Sequence, residues 1–247
     1  MSNEFAGRLC VVTGASSGIG LAVTRRLLEQ GARVIAMARS TDALAPLAAE
    51  SYGQLITFDG NVTRPDDLAE LAEMARRIGP VACVVPNAGV AELADALDCA
   101  AFERQWSVNG AGALNTLAAL RPHLCEDAAV VFIGTFLANR SFPGLGAYIA
   151  TKAALIAQAR TLAVELAASG IRINTVSPGP TATAIWGKLG LTPDALAGVS
   201  EAVDPRLLGG GFLEADAVAD VVLFQLSQGA RGVYGQDWVV DKGYTLA

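Results

Sequence analysis

The sequence predicts a doubly wound α/β fold, a single sheet of seven parallel strands with helices on both faces. Three observations point there. Seven short apolar runs recur along the chain, the segments between them have helical character, and the first run leads straight into a glycine-rich turn and a helix. The runs are apolar throughout instead of alternating, as parallel strands covered on both sides require.

The runs are LCVVT (9–13), RVIAMA (33–38), QLITF (54–58), VACVV (81–85), AVVFIG (129–134), IRINTV (171–176) and DWVV (237–240). Between the first two, IGLAVTRRLLEQ reads as a helix stopped by Gly31, since glycine readily takes the left-handed turn that ends a helix. PDDLAELAEMARRI opens with a proline and two acids suited to a helix N-terminus, and YIATKAALIAQARTLAVELA reads as a long late helix. No linker or internal repeat interrupts the chain, so residues 1–247 are expected to form one domain. The one long stretch without strand period is about 184–213, where Gly and Pro break up apolar residues. An insertion after a late strand lies over the carboxyl edge of the sheet, where ligands bind, so it is the expected substrate lid.

Composition excludes several classes of function. The chain has 247 residues, 52% of them hydrophobic and only 17% charged, which predicts a large core or an extensive subunit interface. A homodimer or homotetramer is expected. A net charge of −6 is wrong for a phosphate-backbone binder, so no nucleic-acid partner is expected. No apolar run approaches the roughly 20 residues needed to span a bilayer, and MSNEFAGR lacks the basic start of a secretory signal; the expectation is a soluble cytoplasmic protein with no membrane partner. Cys10, Cys83, Cys99 and Cys125 form no C-x-x-C pair. His123 is the only histidine, in LRPHLCED, so neither a Ser-His-Asp site nor a histidine metal cluster is expected. Acid–base work falls to another residue type.

Thr13-Gly14-Ala15-Ser16-Ser17-Gly18-Ile19-Gly20 joins the first strand to the first helix. A glycine turn in that place brings backbone close to a pyrophosphate and aims free N–H groups and the helix dipole at its charge. Gly14, Ser16, Ser17, Gly18, Ile19 and Gly20 are therefore candidate cofactor residues of a Rossmann-like site. At the end of the second strand an acid would accept from the ribose 2′-OH of NAD, whereas a cation favours the 2′-phosphate of NADP. RVIAMARS places Ala38 and then Arg39 there, so NADP leads and NAD is second.

Tyr148 and Lys152 stand four apart at the start of the long late helix, on one helical face. A free phenol, with its pKa of about 10, hardly ionises at neutral pH, and a neighbouring cation is expected to lower that value. Read with the glycine turn and with Asn87-Ala88-Gly89, this T-G-x-x-x-G-x-G … Y-x-x-x-K pattern resembles the compact, single-domain branch of the short-chain dehydrogenase/reductase family over essentially the whole chain. The resemblance implies an NAD- or NADP-dependent oxidoreductase that interconverts alcohols and carbonyls by hydride transfer.

Carried over position by position, the resemblance assigns Asn61 and Val62 to the adenine, with the Asn61 amide oxygen accepting from its amine; Asn61 replaces the family's aspartate. It sets Asn87, Ala88 and Gly89 beside the cofactor, with Pro86 in place of a family asparagine and that residue's sheet-bracing bond lost. Asn109 matches the asparagine that holds a water beside the lysine in a proton relay. Pro178, Gly179 and Thr183 match the segment beside the nicotinamide, Thr183 holding its carboxamide. The family's substrate-orienting serine corresponds to Thr135, which keeps the hydroxyl and adds a methyl group. Ser141 would serve only if its loop folded back. The implied catalytic set is Asn109, Thr135, Tyr148 and Lys152, with Trp186 a further substrate contact.

The lid carries Ile185, Trp186, Leu189, Leu191, Leu196, Val199, Val203, Leu207, Leu208 and Phe212 against few charges, which favours an apolar ketone or secondary alcohol. After Gly89 the chain reads VAELADALDCAAFE, acidic where a carrier-protein docking face would be basic. Two alternatives stay open: a 3-oxoacyl-thioester reductase, and a dinucleotide-sensing regulatory protein in which Thr135 marks lost catalysis.

Overall fold

The computed structural model describes residues 3–190 and 192–246; Leu191 of the expected lid lies outside them. Seven strands form one sheet: β1 (Leu9–Thr13), β2 (Arg33–Ala38), β3 (Leu55–Asp59), β4 (Val81–Pro86), β5 (Leu124–Ile133), β6 (Arg172–Pro178) and β7 (Asp237–Val240). Their order is β3-β2-β1-β4-β5-β6-β7, every pairing parallel, so the doubly wound sheet read from the apolar runs is the observed one. The order in which strands are added across the sheet reverses between β1 and β4. That switch point opens a crevice at the carboxyl ends of the strands.

Eight α-helices are described: α1 (Gly18–Glu29), α2 (Ala45–Glu50), α3 (Pro65–Ile78), α4 (Cys99–Trp106), α5 (Ala113–Leu120), α6 (Gly146–Ala167), α7 (Pro193–Val203) and α8 (Ala215–Leu226). Successive strand residues point to opposite faces, and both faces are covered. Cys10 and Val12 pack with Val23 and Leu27 of α1 and Val222 of α8. Leu9 and Val11 pack on the other side with Leu71 of α3, Leu117 of α5 and Leu155 of α6. This is why the runs show no alternation.

Two places differ from the sequence reading. Strand β5 begins at Leu124, not Ala129, because Leu124 pairs with Val81 before a bulge shifts the register to Cys83–Ala129. The stretch 184–213 holds a helix, α7, whose Thr192 accepts from Ala195 N–H at 3.2 Å and whose first residue is Pro193. Behind the sheet, buried Arg172 donates to the carbonyls of Gln225, Leu226, Ser227 and Ala230 at 2.8–3.2 Å, capping the end of α8. No described helix is long and apolar enough to cross a membrane.

Candidate active site

The crevice beyond β1 and β4 widens into a cleft of about 980 Å³. Of the residues expected to serve cofactor or substrate, all but Gly20 and Asn109 line it, from Arg39 at one end to Trp186 at the other. Those two act from behind its wall. His123 lies at the opposite edge of the sheet, at the start of β5, and exposed Ser141 does not reach the cleft.

The glycine turn is shaped by close approach. A Cβ on Gly14 would stand 2.8 Å from Ala88 Cα, and one on Gly20 only 2.3 Å from the Gly14 carbonyl oxygen. Gly14 and Gly18 also take left-handed φ values of +64° and +54°. Helix α1 starts at this turn without a side-chain cap and without an acid in its first turn, so its free N–H groups and dipole face the cleft. The donor set fits a dinucleotide pyrophosphate.

Asn87 holds the floor of the crevice. Its side-chain amide donates to the Thr13 and Gly14 carbonyls at 2.9 and 3.2 Å, while the Thr13 hydroxyl accepts the Asn87 and Ala88 N–H groups, both at 3.1 Å. The bracing expected to vanish with Pro86 is thus supplied one residue later. At the end of β2, Arg39 is exposed on the cleft rim, and beside it Ser40 donates to Asp42 at 3.1 Å. Sequence reasoning missed Asp42, whose carboxylate also lines the cleft. Asn61 needs a correction. Its amide oxygen already accepts the Thr63 N–H and hydroxyl, both at 3.0 Å, so it offers a ligand its NH₂ and no free acceptor.

At the other end, Thr135 stands two residues past the end of β5, and Tyr148 and Lys152 rise from the first turns of α6. The Thr135 hydroxyl accepts the Leu137 N–H at 3.3 Å, and its side chain acts on the Tyr148 phenol beside it in the cleft. Burial raises the phenol above its ordinary pKa, and the Thr135 side chain opposes that rise. The expected lowering by Lys152 is not what the geometry produces. The buried ammonium donates to the Ile133 carbonyl at 2.7 Å, and desolvation brings its own pKa from 10.5 to about 8. Tyr148 is therefore a protonated acid at neutral pH.

Asn109 sits in a π-helical turn, Ser107–Gly112, between α4 and α5. Both its amide hydrogens are in use, on the Val90 carbonyl at 2.9 Å and the Thr151 hydroxyl at 3.1 Å, and its oxygen accepts the Val90 N–H at 2.8 Å. The side chain braces the strand-4 loop against α6 instead of presenting a donor for water. A Cβ on Gly89 would lie 3.3 Å from the Asn109 oxygen, a tight contact, and 3.6 Å from Lys152 Nζ, an ordinary one. Opposite, Leu137, Leu145, Ile185, Trp186 and Leu189 make the substrate end apolar. Arg104 also lines the cleft and is held by Glu92 at 2.6 Å.

A glycine-turn crevice with a tyrosine, a buried lysine and a threonine hydroxyl lining one cleft is the arrangement of a nucleotide-dependent oxidoreductase. Comparison with known proteins agrees: residues 14–245 match a family model described as Enoyl-(Acyl carrier protein) reductase. A 3-oxoacyl-[acyl-carrier-protein] reductase from Thermotoga maritima is 32% identical over 97% of this chain and 98% of its own. A cis-4-hydroxycyclohexanecarboxylate dehydrogenase from Sinomonas cyclohexanicum is 34% identical over 99% of each. The crystal structure of a short-chain dehydrogenase/reductase from Brucella melitensis superposes with a TM-score of 0.90 at 26% identity, covering 100% of both chains. The chain belongs to the short-chain dehydrogenase/reductase family and is an oxidoreductase acting on alcohol and carbonyl groups.

Proposed function

We propose that this protein is an NADP-dependent ketoreductase that interconverts a small apolar ketone and its secondary alcohol, with Tyr148 as general acid. The observation that carries the reading is the pairing of protonated Tyr148 with the Thr135 hydroxyl at the apolar end of a cofactor-sized cleft. When bound, NADPH supplies the hydride. Thr135 orients the substrate oxygen, and Tyr148 gives that oxygen its proton; the alcohol returns the proton to Tyr148 in the reverse direction. Lys152, seated on the Ile133 carbonyl, brings positive charge to the reacting end of the cleft, and Asn109 fixes the loop that borders it. Gly14, Ser16, Ser17, Gly18 and Ile19 hold the pyrophosphate, Arg39 the 2′-phosphate, Asn61 and Val62 the adenine, and Pro178, Gly179 and Thr183 the nicotinamide.

Residues 184–213 form the lid of the substrate end, which packs Leu189, Val199 and Phe212 against Phe136, Leu145 and Tyr148. The chain works in the cytoplasm as a dimer or tetramer. Exposed Phe224 and Trp238 stack at 5.5 Å beside exposed Val239 at the sheet edge, a surface suited to a second copy. Light scattering that returns the mass of one chain sinks that part.

The principal test is Tyr148→Phe, assayed by NADPH oxidation across simple ring and chain ketones. Binding of NADPH should persist while turnover falls by about 10³-fold or more. Undiminished turnover overturns the reading; binding without turnover in the unaltered protein favours a dinucleotide sensor. Reduction of 3-oxoacyl thioesters is the second reading, favoured by the likeness to the Thermotoga maritima reductase. Against a carrier-bound substrate stands Arg104, whose charge is spent on Glu92 and Asp98. A preference for acetoacetyl-carrier protein over free ketones would select the second reading.

A further inference from the structure

The lid is tied at its roots: Leu213 N–H donates to the Pro180 carbonyl and Ala182 N–H to the Leu213 carbonyl, both at 2.8 Å. Its return arm contains Gly209, Gly210 and Gly211, at φ +84°, +66° and +66°. Three consecutive left-handed glycines are the most mobile backbone a chain can carry, so an arm that keeps one shape must be held from outside. Part of the hold is the lid's own, the Gly211 N–H donating to the Asp204 carboxylate at 2.6 Å and the Gly210 N–H to the Leu207 carbonyl at 2.9 Å, and the side-chain hold from outside comes from the C-terminal segment. Lys242 Nζ donates to the carbonyls of Gly210 at 2.7 Å and Gly211 at 2.9 Å, and the Lys242 carbonyl accepts the Leu208 N–H at 2.8 Å.

Lys242 occupies this place against its own backbone preference. Its φ is +47°, a conformation that costs a residue with a side chain and costs glycine little. The ammonium bridging two hinge carbonyls is the gain that offsets the strain. From the hinge the contacts run directly into the cleft. Gly211 precedes Phe212, whose ring lies 5.3 Å from that of Trp186, and Trp186 lines the substrate end. Two residues past Lys242, Tyr244 packs edge-on against Phe136 at 5.1 Å, next to Thr135.

We propose that Lys242 is a positioning residue, a latch that fixes the Gly209–Gly211 hinge and so seats Trp186 and Phe212 over the substrate. This rests on the reading of 184–213 as a lid. The latch acts at a distance from the chemistry and governs how well substrate is held more than how fast it reacts.

The test compares Lys242→Gly, Lys242→Met and Lys242→Arg. Glycine removes the latch and relieves the strain, methionine removes the cation and keeps the strain, and arginine keeps both. Hydrogen exchange at 204–213 should accelerate roughly tenfold or more in the Gly and Met variants and stay near the unaltered rate in the Arg variant. The unfolding temperature of Lys242→Gly should not fall. With cyclohexanone as probe, KM should rise about fivefold or more in both variants while kcat changes less. Unchanged exchange in Lys242→Met overturns the latch, even if Lys242→Gly unfolds early. Faster exchange with no turnover in any protein, the unaltered one included, keeps the latch and sinks the ketoreductase reading. Faster exchange with unchanged KM overturns the assignment of Lys242 to substrate seating.

Discussion

The Thr135 side chain acts on the Tyr148 phenol at the head of α6 and favours its ionised form, coupling the loop after β5 to the start of the helix that follows it. The same hydroxyl takes the Leu137 N–H. Replacing Thr135 with Val keeps shape and removes the hydroxyl. Turnover should fall by about 10²-fold, the usual worth of a well-placed donor in such a site, with NADPH affinity unchanged. Thr135→Ser should retain activity and accept bulkier ketones, since it clears a methyl group from the pocket. Steady-state kinetics on both variants decides; an active valine variant would return Thr135 to a purely structural place.

Lys152 makes the site sensitive to alkali. Its folded pKa is about 8 against an ordinary 10.5, so the native state sheds this proton while the unfolded chain keeps it. Between about pH 8 and 10.5 the unfolded state therefore binds more protons, and this group's contribution to stability rises with pH. The full span is about 3 kcal/mol. Activity runs the other way, because reduction uses the charged ammonium and declines as pH passes about 8. Thermal unfolding of Lys152→Met should lack that stability gain across the window. An identical pH dependence in both proteins would show the lysine to be solvated.

Arg39 and Asp42, two residues of opposite sign, line the cleft just after β2. A charge-assisted bond to a 2′-phosphate is strong enough that Arg39→Ala should raise KM for NADPH by about tenfold or more and leave NADH little changed. Isothermal titration with both cofactors measures the same difference without a substrate. If the variant binds NADPH as before, the arginine is solvated and Asp42 becomes the residue to examine for a ribose hydroxyl.

Much of this was legible because the strands are buried on both faces and so spell themselves as unbroken apolar runs; helix α3 even starts and ends where its proline and terminal arginines say. What escaped depended on partners far along the chain. Nothing near Lys152 announces the Ile133 carbonyl as its acceptor, and nothing near Asn109 announces Val90. Thr192-Pro193-Asp194 did carry the signature of the start of α7, masked by the glycines on either side. The Asn61 oxygen was lost to a turn bond two residues away, a local competition that Asn and Asp side chains commonly win.

Arg172 offers the sharpest stability test, because it is a buried cation bonded to carbonyl dipoles, with Asp127 acting on it only through space. Burial lowers its pKa, and four carbonyls around the end of α8 hold its fork of N–H groups. Arg172→Met takes the side-chain donor from the Gln225 and Leu226 carbonyls, while the Ser227 and Ala230 carbonyls keep the N–H groups of Ala230 and Val233, and should cost about 3 kcal/mol. Arg172→Lys should recover little, since an ammonium lacks the planar fork that reaches all four. Denaturant unfolding compares the three proteins. Near-equal midpoints for the Met variant and the unaltered chain would mean that water caps α8 as well as the arginine does, and the buried charge would then need another explanation.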